Sequence, residues 1–401
     1  MAIIVQKFGG TSVATAALRE RVVGKILSCR AQGHDVVVVV SAMGRLGEPY
    51  ATDTLLALIE HAGRPEPRDQ DMVMACGELI SCAVVASALR KAGLNSRPLS
   101  GWQAGIVTDN TFNDARITAV DPACLLPLLM AGVVPVVAGF QGATAEGDIT
   151  TLGRGGSDTT AAALGVALGA SNVEIYTDVE GIMTADPRLV PDAKVLSFLD
   201  YGEVFQMASQ GSKVIHPRAV ELAMQRNIPL AIKSTLSDAP GTTIANAVLY
   251  ENRRGRPVTA VAHIMQVVRV SIPTTGDDGA LELDIFSRLA EAGVSVDLIN
   301  VSPEIKRFII SEEATEKARD ALKTLPITPE FRRGCAKVSV IGTGMRGLPG
   351  VMSRVVAALR EAEVRILQSS DSHLTISVLV DRGDVEAATQ ALHRHFGLNI
   401  E

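Results

Sequence analysis

Two glycine-rich stretches hold the residues best suited to chemistry on a charged substrate. The first runs from Thr150 to Ala170, T-T-L-G-R-G-G-S-D-T-T-A-A-A-L-G-V-A-L-G-A. Gly153, Gly155 and Gly156 give a loop that can approach a ligand closely and adopt positive φ. Ser157, Asp158, Thr159 and Thr160 offer N-cap chemistry ahead of an Ala-rich helix over Ala161–Leu168. A glycine loop feeding a helix N-terminus gathers free N–H groups at the positive end of the dipole, which suits an anion. Arg154 adds a planar fork matched to carboxylate or phosphate. The second stretch is Gln6-Lys7-Phe8-Gly9-Gly10-Thr11-Ser12. A lysine at a strand end, beside backbone N–H donors, can neutralise charge on a transferring phosphoryl group; a surface lysine beside a turn is the bland alternative. The Walker A pattern, with lysine after the glycines, occurs nowhere in the chain.

Other polar residues punctuate apolar segments. Ser41-Ala42-Met43-Gly44 follows the valine run of Asp35–Val40, so a hydroxyl stands at a strand's C-terminal end, where open α/β sheets bind ligands. Cys76-Gly77-Glu78 lies inside a helical pattern over Asp71–Leu89, where glycine costs about 1 kcal/mol relative to alanine. Glu78 sits among Cys76, Leu79, Ile80 and Cys82, an apolar setting that makes sense for a carboxylate meeting a cation such as a substrate ammonium. The polar loop from Thr177 to Arg188 holds Asp178 and Asp186 and reads either as a nucleotide pocket or as a solvated connection. Lys213 stands in a Gly-Ser turn, and His216, followed by Pro217, reads as structural rather than as a general base. Thr52-Asp53 caps a helix, with contact to a substrate left open.

The elements that must position these residues alternate. Strand-like runs at Ala2–Val5, Asp35–Val40, Arg97–Leu99, Gly132–Gly139 and Val173–Tyr176 are separated by helical patterns. Such alternation means a mostly parallel sheet covered on both faces. Ile228–Ser234 and Gly241–Ile244 close this region, and a linker is expected over 246–263, where the sequence turns polar and basic. Beyond it lies an internal repeat at an offset of 355 − 285 = 70 residues: Ile285–Ile299 aligns with Val355–Ser369, with Leu289/Leu359 and Val294/Val364 coinciding. Gly342-Thr343-Gly344-Met345-Arg346-Gly347 matches a dinucleotide fingerprint, but 401 − 347 = 54 residues are too few for two mononucleotide-binding halves.

Composition narrows the class. A chain of 401 residues holds two or three domains. A net charge of -6 and 3% aromatic residues argue against nucleic acid as a partner. Five scattered cysteines fit a reduced cytoplasm better than disulfides or a zinc site, and no metal ligands are expected from the chain. Without an uncharged apolar run long enough to span a bilayer, the expectation is a soluble cytoplasmic protein that has no membrane partner.

The chain resembles the aspartate kinases, a branch of the amino acid kinase family. The carriers are Lys7-Phe8-Gly9-Gly10-Thr11-Ser12, Ser41-Ala42-Met43-Gly44, Gly77-Glu78, Phe140-Gln141-Gly142, Gly153-Arg154-Gly155-Gly156-Ser157-Asp158, Thr177-Asp178-Val179, Asp186-Pro187-Arg188 and Lys213-Val214-Ile215-His216-Pro217. They stand in the family's order and spacing, and the resemblance covers essentially the whole chain. It implies a three-layer αβα sandwich with a mostly parallel central sheet (residues 1–245), followed by two α+β ferredoxin-like ACT domains (264–335 and 336–401).

The activity implied is transfer of the ATP γ-phosphoryl group to the β-carboxylate of L-aspartate, opening lysine, threonine and methionine biosynthesis, with Mg²⁺ arriving with the nucleotide. Lys7, Asp158 and Arg154 match the catalytic positions. Ser41, Glu78, Arg154, Gly155 and Ser157 match the substrate positions, with Arg154 on the α-carboxylate and Glu78 on the ammonium. Lys7, Phe8, Gly9, Gly10, Thr177, Asp178, Met183, Thr184, Asp186, Arg188 and Lys213 match the nucleotide positions. The ACT pair implies a homodimer or higher oligomer and an amino-acid effector, with Asp297 and Asp371 as candidate contacts. The stretch Leu367–His373 looks closest to diaminopimelate-inhibited members, with lysine and threonine still open. The rival reading is a catalytically silent ACT sensor of amino acids, against which the joint presence of Lys7, Arg154, Asp158 and Lys213 argues.

Overall fold

Five consecutive valines, Val36–Val40, are all fully buried in the interior of an eight-stranded sheet. β-Branched residues with no polar face suit a strand covered on both sides. The computed structural model describes residues 2–60, 63, 65–212, 214–246, 257–274, 279–345 and 347–400, and the backbone alone of residue 60. Its contacts divide the chain into two units: Met1–Ile182, Val195–Ala208 and Lys213–Asn252, and then Met183–Lys194, Ser209–Ser212 and Arg253–Glu401.

In the first unit the chain runs β1 (Ile3–Phe8), α1 (Gly10–Val13), α2 (Ala16–Ala31), β2 (Asp35–Val40), α3 (Thr52–Glu60), α4 (Pro67–Lys91), β3 (Ser96–Leu99), β4 (Ile106–Thr108), β5 (Ile117–Val120), α5 (Leu126–Met130), β6 (Val134–Ala138), β7 (Gln141–Ala143), β8 (Ile149–Thr151), α6 (Gly156–Leu168), β9 (Asn172–Thr177), β10 (Phe198–Asp200), α7 (Tyr201–Ser209), α8 (Pro217–Arg226), β11 (Leu230–Ser234) and β12 (Thr242–Ala245). The main sheet has the order β10-β12-β11-β9-β1-β2-β6-β3. Every pairing in it is parallel except β11 with β12. Helices α2 and α4 cover one face, where Val22, Ile26, Cys82, Val85 and Leu89 pack on Ile4, Phe8, Val36, Val38 and Val136. Helix α6 covers the other, and its small residues let it lie close: a β-carbon on Gly165 would stand 2.4 Å from Val173. This is the three-layer sandwich expected. A second sheet, β5-β4-β7-β8, leads into the glycine loop.

The register aligns the carboxyl ends of the central strands: Phe8 stands opposite Val40 and Tyr176, and Val40 opposite Ala138. The loops after β1, β2, β6 and β9 therefore leave from one edge, the place where α/β sheets gather ligands. Helix α4 is long and apolar enough, by length and composition, to cross a membrane. Yet Cys82, Val85, Ala86 and Leu89 on it belong to the core beneath the sheet, so here it serves as a core helix.

The second unit continues β13 (Ala260–Pro273), α9 (Gly279–Glu291), β14 (Asp297–Val301), β15 (Ile305–Ser311), α10 (Thr315–Leu322), β16 (Glu330–Ile341), α11 (Val351–Glu361), β17 (Gln368–Asp371), β18 (Thr375–Asp381) and α12 (Val385–His395). One antiparallel sheet, β14-β15-β13-β16-β18-β17, serves two α+β modules. The repeated residues are equivalent core positions: Leu289 and Leu359 are 1% and 0% exposed. The modules are nested rather than consecutive. Ala260–Ile264 of β13 pair with Ile341–Lys337, and Val258 and Val261 join the core of Val340, Leu359, Val378 and Leu392. After a register shift, Val268, Val270 and Ile272 join the other core, with Ile285, Leu289 and Phe308. The expected linker, 246–263, thus ends inside β13, and the expected boundary at 335/336 falls inside β16. Its stretch 247–256 lies outside the described residues.

Candidate active site

Lys7 lies one residue before the end of β1, and Asp158 in the first turn of α6. Their side chains form an ion pair, Nζ to Oδ1 2.7 Å, with each side chain 12% exposed. Strand end and helix start thereby meet beside the glycines of both stretches. Gly10 is required by close approach: a β-carbon there would lie 2.4 Å from the carbonyl oxygen of Ala42, and Gly10 itself accepts from the Gly44 N–H at 3.1 Å. Gly9 donates to Tyr176 at 3.3 Å. Phe8 is a core residue, its ring stacked on Tyr176 at 4.8 Å, so only its backbone is available to a ligand.

The capping at α6 differs from expectation. The N-cap is Gly155, at φ 70°, and no side chain caps the helix. Thr159 and Thr160 instead donate back to the carbonyls of Gly155 and Gly156 at 3.2 and 3.0 Å. Buried in a crowded first turn, those hydroxyls find helix carbonyls closer than free amides. Ser157 is 7% exposed and faces Gly139 at the end of β6, where a β-carbon would lie 2.8 Å away. A β-carbon on Gly155 would stand 2.3 Å from that of His216. His216 accepts from the Arg218 N–H at 3.3 Å as the N-cap of α8, in keeping with its structural reading. Burial first, then the Arg218 charge, holds its imidazole pKa below the ordinary range. Arg154, between these glycines, is exposed and enters no ion pair among the described residues.

Glu78 is 2% exposed on α4. One carboxylate oxygen accepts from the Ala42 N–H at 3.0 Å, beside Ser41, while the other has no hydrogen-bond partner among the described residues. Burial pushes its pKa up to about 8, against the lowering effect of that backbone bond. A buried acid with an unpaired oxygen fits an incoming ammonium. Thr177 ends β9 and Asp178 follows it; Asp178 accepts from Thr177 at 3.2 Å and pairs with Arg45 at 2.9 Å. Thr52 and Asp53 open α3.

Met183, Thr184, Asp186 and Arg188 belong to the second unit. Met183 packs on Ala185, Val190 and Ala193. The Thr184 hydroxyl meets Nε2 of His393 at 2.8 Å. Asp186 and Arg188 close on each other, Nη2 to Oδ2 2.6 Å, and this hydrogen bond lowers the Asp186 pKa. Lys213 lies outside the described residues. Asp297 pairs with Lys337, which is 2% exposed, and accepts from the Leu298 N–H at 2.7 Å. Asp371 lines a cavity of about 430 Å³ with Gly347, Gly350, Ser372 and His373. The glycine-rich stretch around Gly347 is thus part of a module surface.

Sequence reasoning missed Asp71, fully buried on α4 and bonded to Thr151 and Asn113. Its position seven residues before Glu78, on the same helix face, was the available signal. Arg45 was missed too, and an exposed arginine in a glycine loop carries no signal of its own.

The amino acid kinase family model matches residues 2–234, and an ACT domain model matches 330–394. Aspartokinase 1 of Bacillus subtilis (strain 168) is 45% identical over 405 residues, covering 100% of both chains. The crystal structure of E. coli aspartokinase III in complex with aspartate and ADP (R-state) superposes with a TM-score of 0.83, at 27% identity, over 98% of this chain and 99% of that one. The same enzyme in complex with lysine and aspartate (T-state) gives 0.75 at 28% identity, over 98% and 99%.

Proposed function

Because the chain belongs to the amino acid kinase family, as an aspartokinase, we propose that it transfers the γ-phosphoryl group of ATP to the β-carboxylate of L-aspartate. The products are 4-phospho-L-aspartate and ADP. The observation that carries the reading is the Lys7–Asp158 ion pair, at the same sheet edge from which the Ser41 loop leaves and to which Glu78 is tied through Ala42. The β-carboxylate is already a nucleophile, so no strong base is needed and catalysis is positioning plus charge neutralisation. Lys7 neutralises charge gathering on the phosphoryl oxygens, and Asp158 holds its ammonium in place. Gly9 and Gly10 are proposed phosphate contacts, by resemblance. Arg154 clamps the α-carboxylate, Glu78 receives the ammonium, and Ser41 with Gly155 and Ser157 orients the rest of the substrate. A substrate lacking a free α-amino acid end loses both charged contacts.

Thr177, Asp178, Met183, Thr184, Asp186, Arg188 and Lys213 are proposed nucleotide contacts, by resemblance. The described residues contain no cluster of three or more His, Cys, Asp or Glu side chains suited to a metal. Mg²⁺ brought in on the nucleotide's phosphates would supply further charge neutralisation there.

Residues 1–245 are proposed as the catalytic part and the ACT modules as the regulatory part. The effector is an amino acid: meso-diaminopimelate, lysine or threonine, contacted through Asp297 or Asp371. The E. coli complex with lysine supports this class of ligand. We place the enzyme in the cytoplasm, as a homodimer or higher oligomer through the ACT modules, at the entry to lysine, threonine and methionine biosynthesis.

Hydroxylamine trapping tests the reaction, because an acyl phosphate gives a hydroxamate and a phosphate ester does not. Hydroxamate formed in proportion to ADP, and only with L-aspartate, is the expected result. ADP released without hydroxamate would contradict transfer to a carboxylate.

A further inference from the structure

We infer that Asp71 is a positioning residue for the substrate clamp: it fixes the glycine loop that carries Arg154 without itself touching substrate. The inference deepens the proposed function and rests on Arg154 holding the α-carboxylate. Asp71 is fully buried on α4. Its carboxylate accepts from the Thr151 hydroxyl at 2.6 Å, from the Thr151 N–H at 2.9 Å and from the Asn113 N–H at 3.1 Å on both oxygens. Thr151 is the last residue of β8, three before Arg154. Asn113 is held at φ 69°, and its side chain donates to Gln70 at 2.7 Å.

One carboxylate thereby ties two segments together. The 113–115 loop is bound again to β8 by the Ala115 N–H on the Thr151 carbonyl, at 2.9 Å. Gly153 rests directly on that loop, since a β-carbon there would stand 2.7 Å from Asp114 Oδ1 and 3.2 Å from the Asn113 carbonyl oxygen. Arg218 braces the far side, donating to the Leu152 carbonyl at 3.2 Å and pairing with Asp114 at 2.9 Å. Arg154 projects from this bracket into solvent with no ion pair of its own among the described residues. Its placement is inherited from the loop.

A buried charge is expensive even when fully hydrogen-bonded, and an apolar side chain of similar size would usually cost less. The carboxylate makes sense where a fixed geometry is needed. Asp71 and Glu78 stand seven residues apart on one face of α4, a rise of about 10 Å. One rigid helix therefore holds the ammonium contact at Glu78 and the carboxylate clamp at Arg154 in register.

The test is steady-state kinetics on Asp71→Asn and Thr151→Val, each alone and in an Arg154→Lys background, with melting temperatures. Asparagine keeps the shape but turns an NH₂ toward N–H donors; valine removes only the Thr151 hydroxyl. Asp71→Asn is expected to raise KM for L-aspartate about tenfold or more, since displacements near 1 Å are that costly, while KM for ATP stays within about twofold. Thr151→Val should show the same split more weakly, and decides the matter if Asp71→Asn does not fold. In the Arg154→Lys background neither change should raise KM for L-aspartate much further. Both variants with unchanged KM for L-aspartate, or both KM values rising together as the melting temperature falls, would overturn the inference. So would the full Asp71→Asn factor persisting on top of a raised Arg154→Lys KM, which leaves the clamp intact. An Arg154→Lys enzyme with the parent KM for L-aspartate would instead remove the clamp reading, and the inference with it.

Discussion

At neutral pH, without an ammonium partner, the Glu78 carboxyl mostly carries its proton, because burial pushes its pKa up to about 8. The folded value lies above the unfolded one, so Glu78 favours the fold most at low pH. That contribution falls as pH rises from about 4.5 to about 8 and is flat above, with a slope of about 1.4 kcal/mol per pH unit. The Glu78→Gln variant is expected to lose this slope, as thermal melts across pH 5–9 will report. A substrate ammonium stabilises the ionised form, so aspartate binding should release a proton below pH 8 in the parent and not in Glu78→Gln; calorimetry in buffers of different ionisation enthalpy reads this directly. Lys7→Ala should stay folded, melting somewhat lower because Asp158 loses its partner, and lose activity on the order of a thousandfold, the scale of one lost charge-stabilising donor; near-parent turnover would contradict its role. The environment of Glu78 was legible in sequence, because its neighbours Cys76, Leu79, Ile80 and Cys82 are apolar. Asp71 was only faintly so: its spacing from Glu78 puts both acids on one helix face, but a lone acid near the start of a helix reads as solvated until the Thr151 contact on β8 is seen.

At the scale of elements, the G-R-G-G-S-D loop depends on how α6 begins. Gly155 is both left-handed and pressed against His216. Gly155→Ala should therefore lower stability by more than the about 1–2 kcal/mol of a left-handed alanine, and cut activity as α6 shifts from Lys7. Gly169, at the other end, has φ 59° with open space around it. Gly169→Ala should cost only about 1–2 kcal/mol and leave turnover unchanged. Chemical denaturation with parallel assays separates the two. The loop and helix were legible from glycine spacing and the alanine run. The cap was not, since Ser157, Asp158, Thr159 and Thr160 look equally suited to capping until the packing of Gly155 and Gly139 fixes where the chain turns.

At the scale of the molecule, the parallel sheet followed from strand–helix alternation, and the two modules from the 70-residue repeat. Their nesting did not. Pro257–His263 is short and follows a polar stretch, so it reads as the tail of a linker, and only the pairing of Ala260–His263 with β16 shows that it enters a strand of the second module. A fragment of residues 336–401 lacks Val258 and Val261 from its own core and should fail to fold by circular dichroism. The same long strands, β13 and β16, run through both modules, so a ligand at either one acts on a shared sheet. The measurement that bears most directly on the whole account is ADP release by the full-length protein with MgATP and L-aspartate, alone and with lysine, threonine or meso-diaminopimelate. Aspartate-dependent turnover, suppressed by one of the three, is the predicted result. Turnover that does not depend on aspartate, or that none of the three alters, would contradict the account.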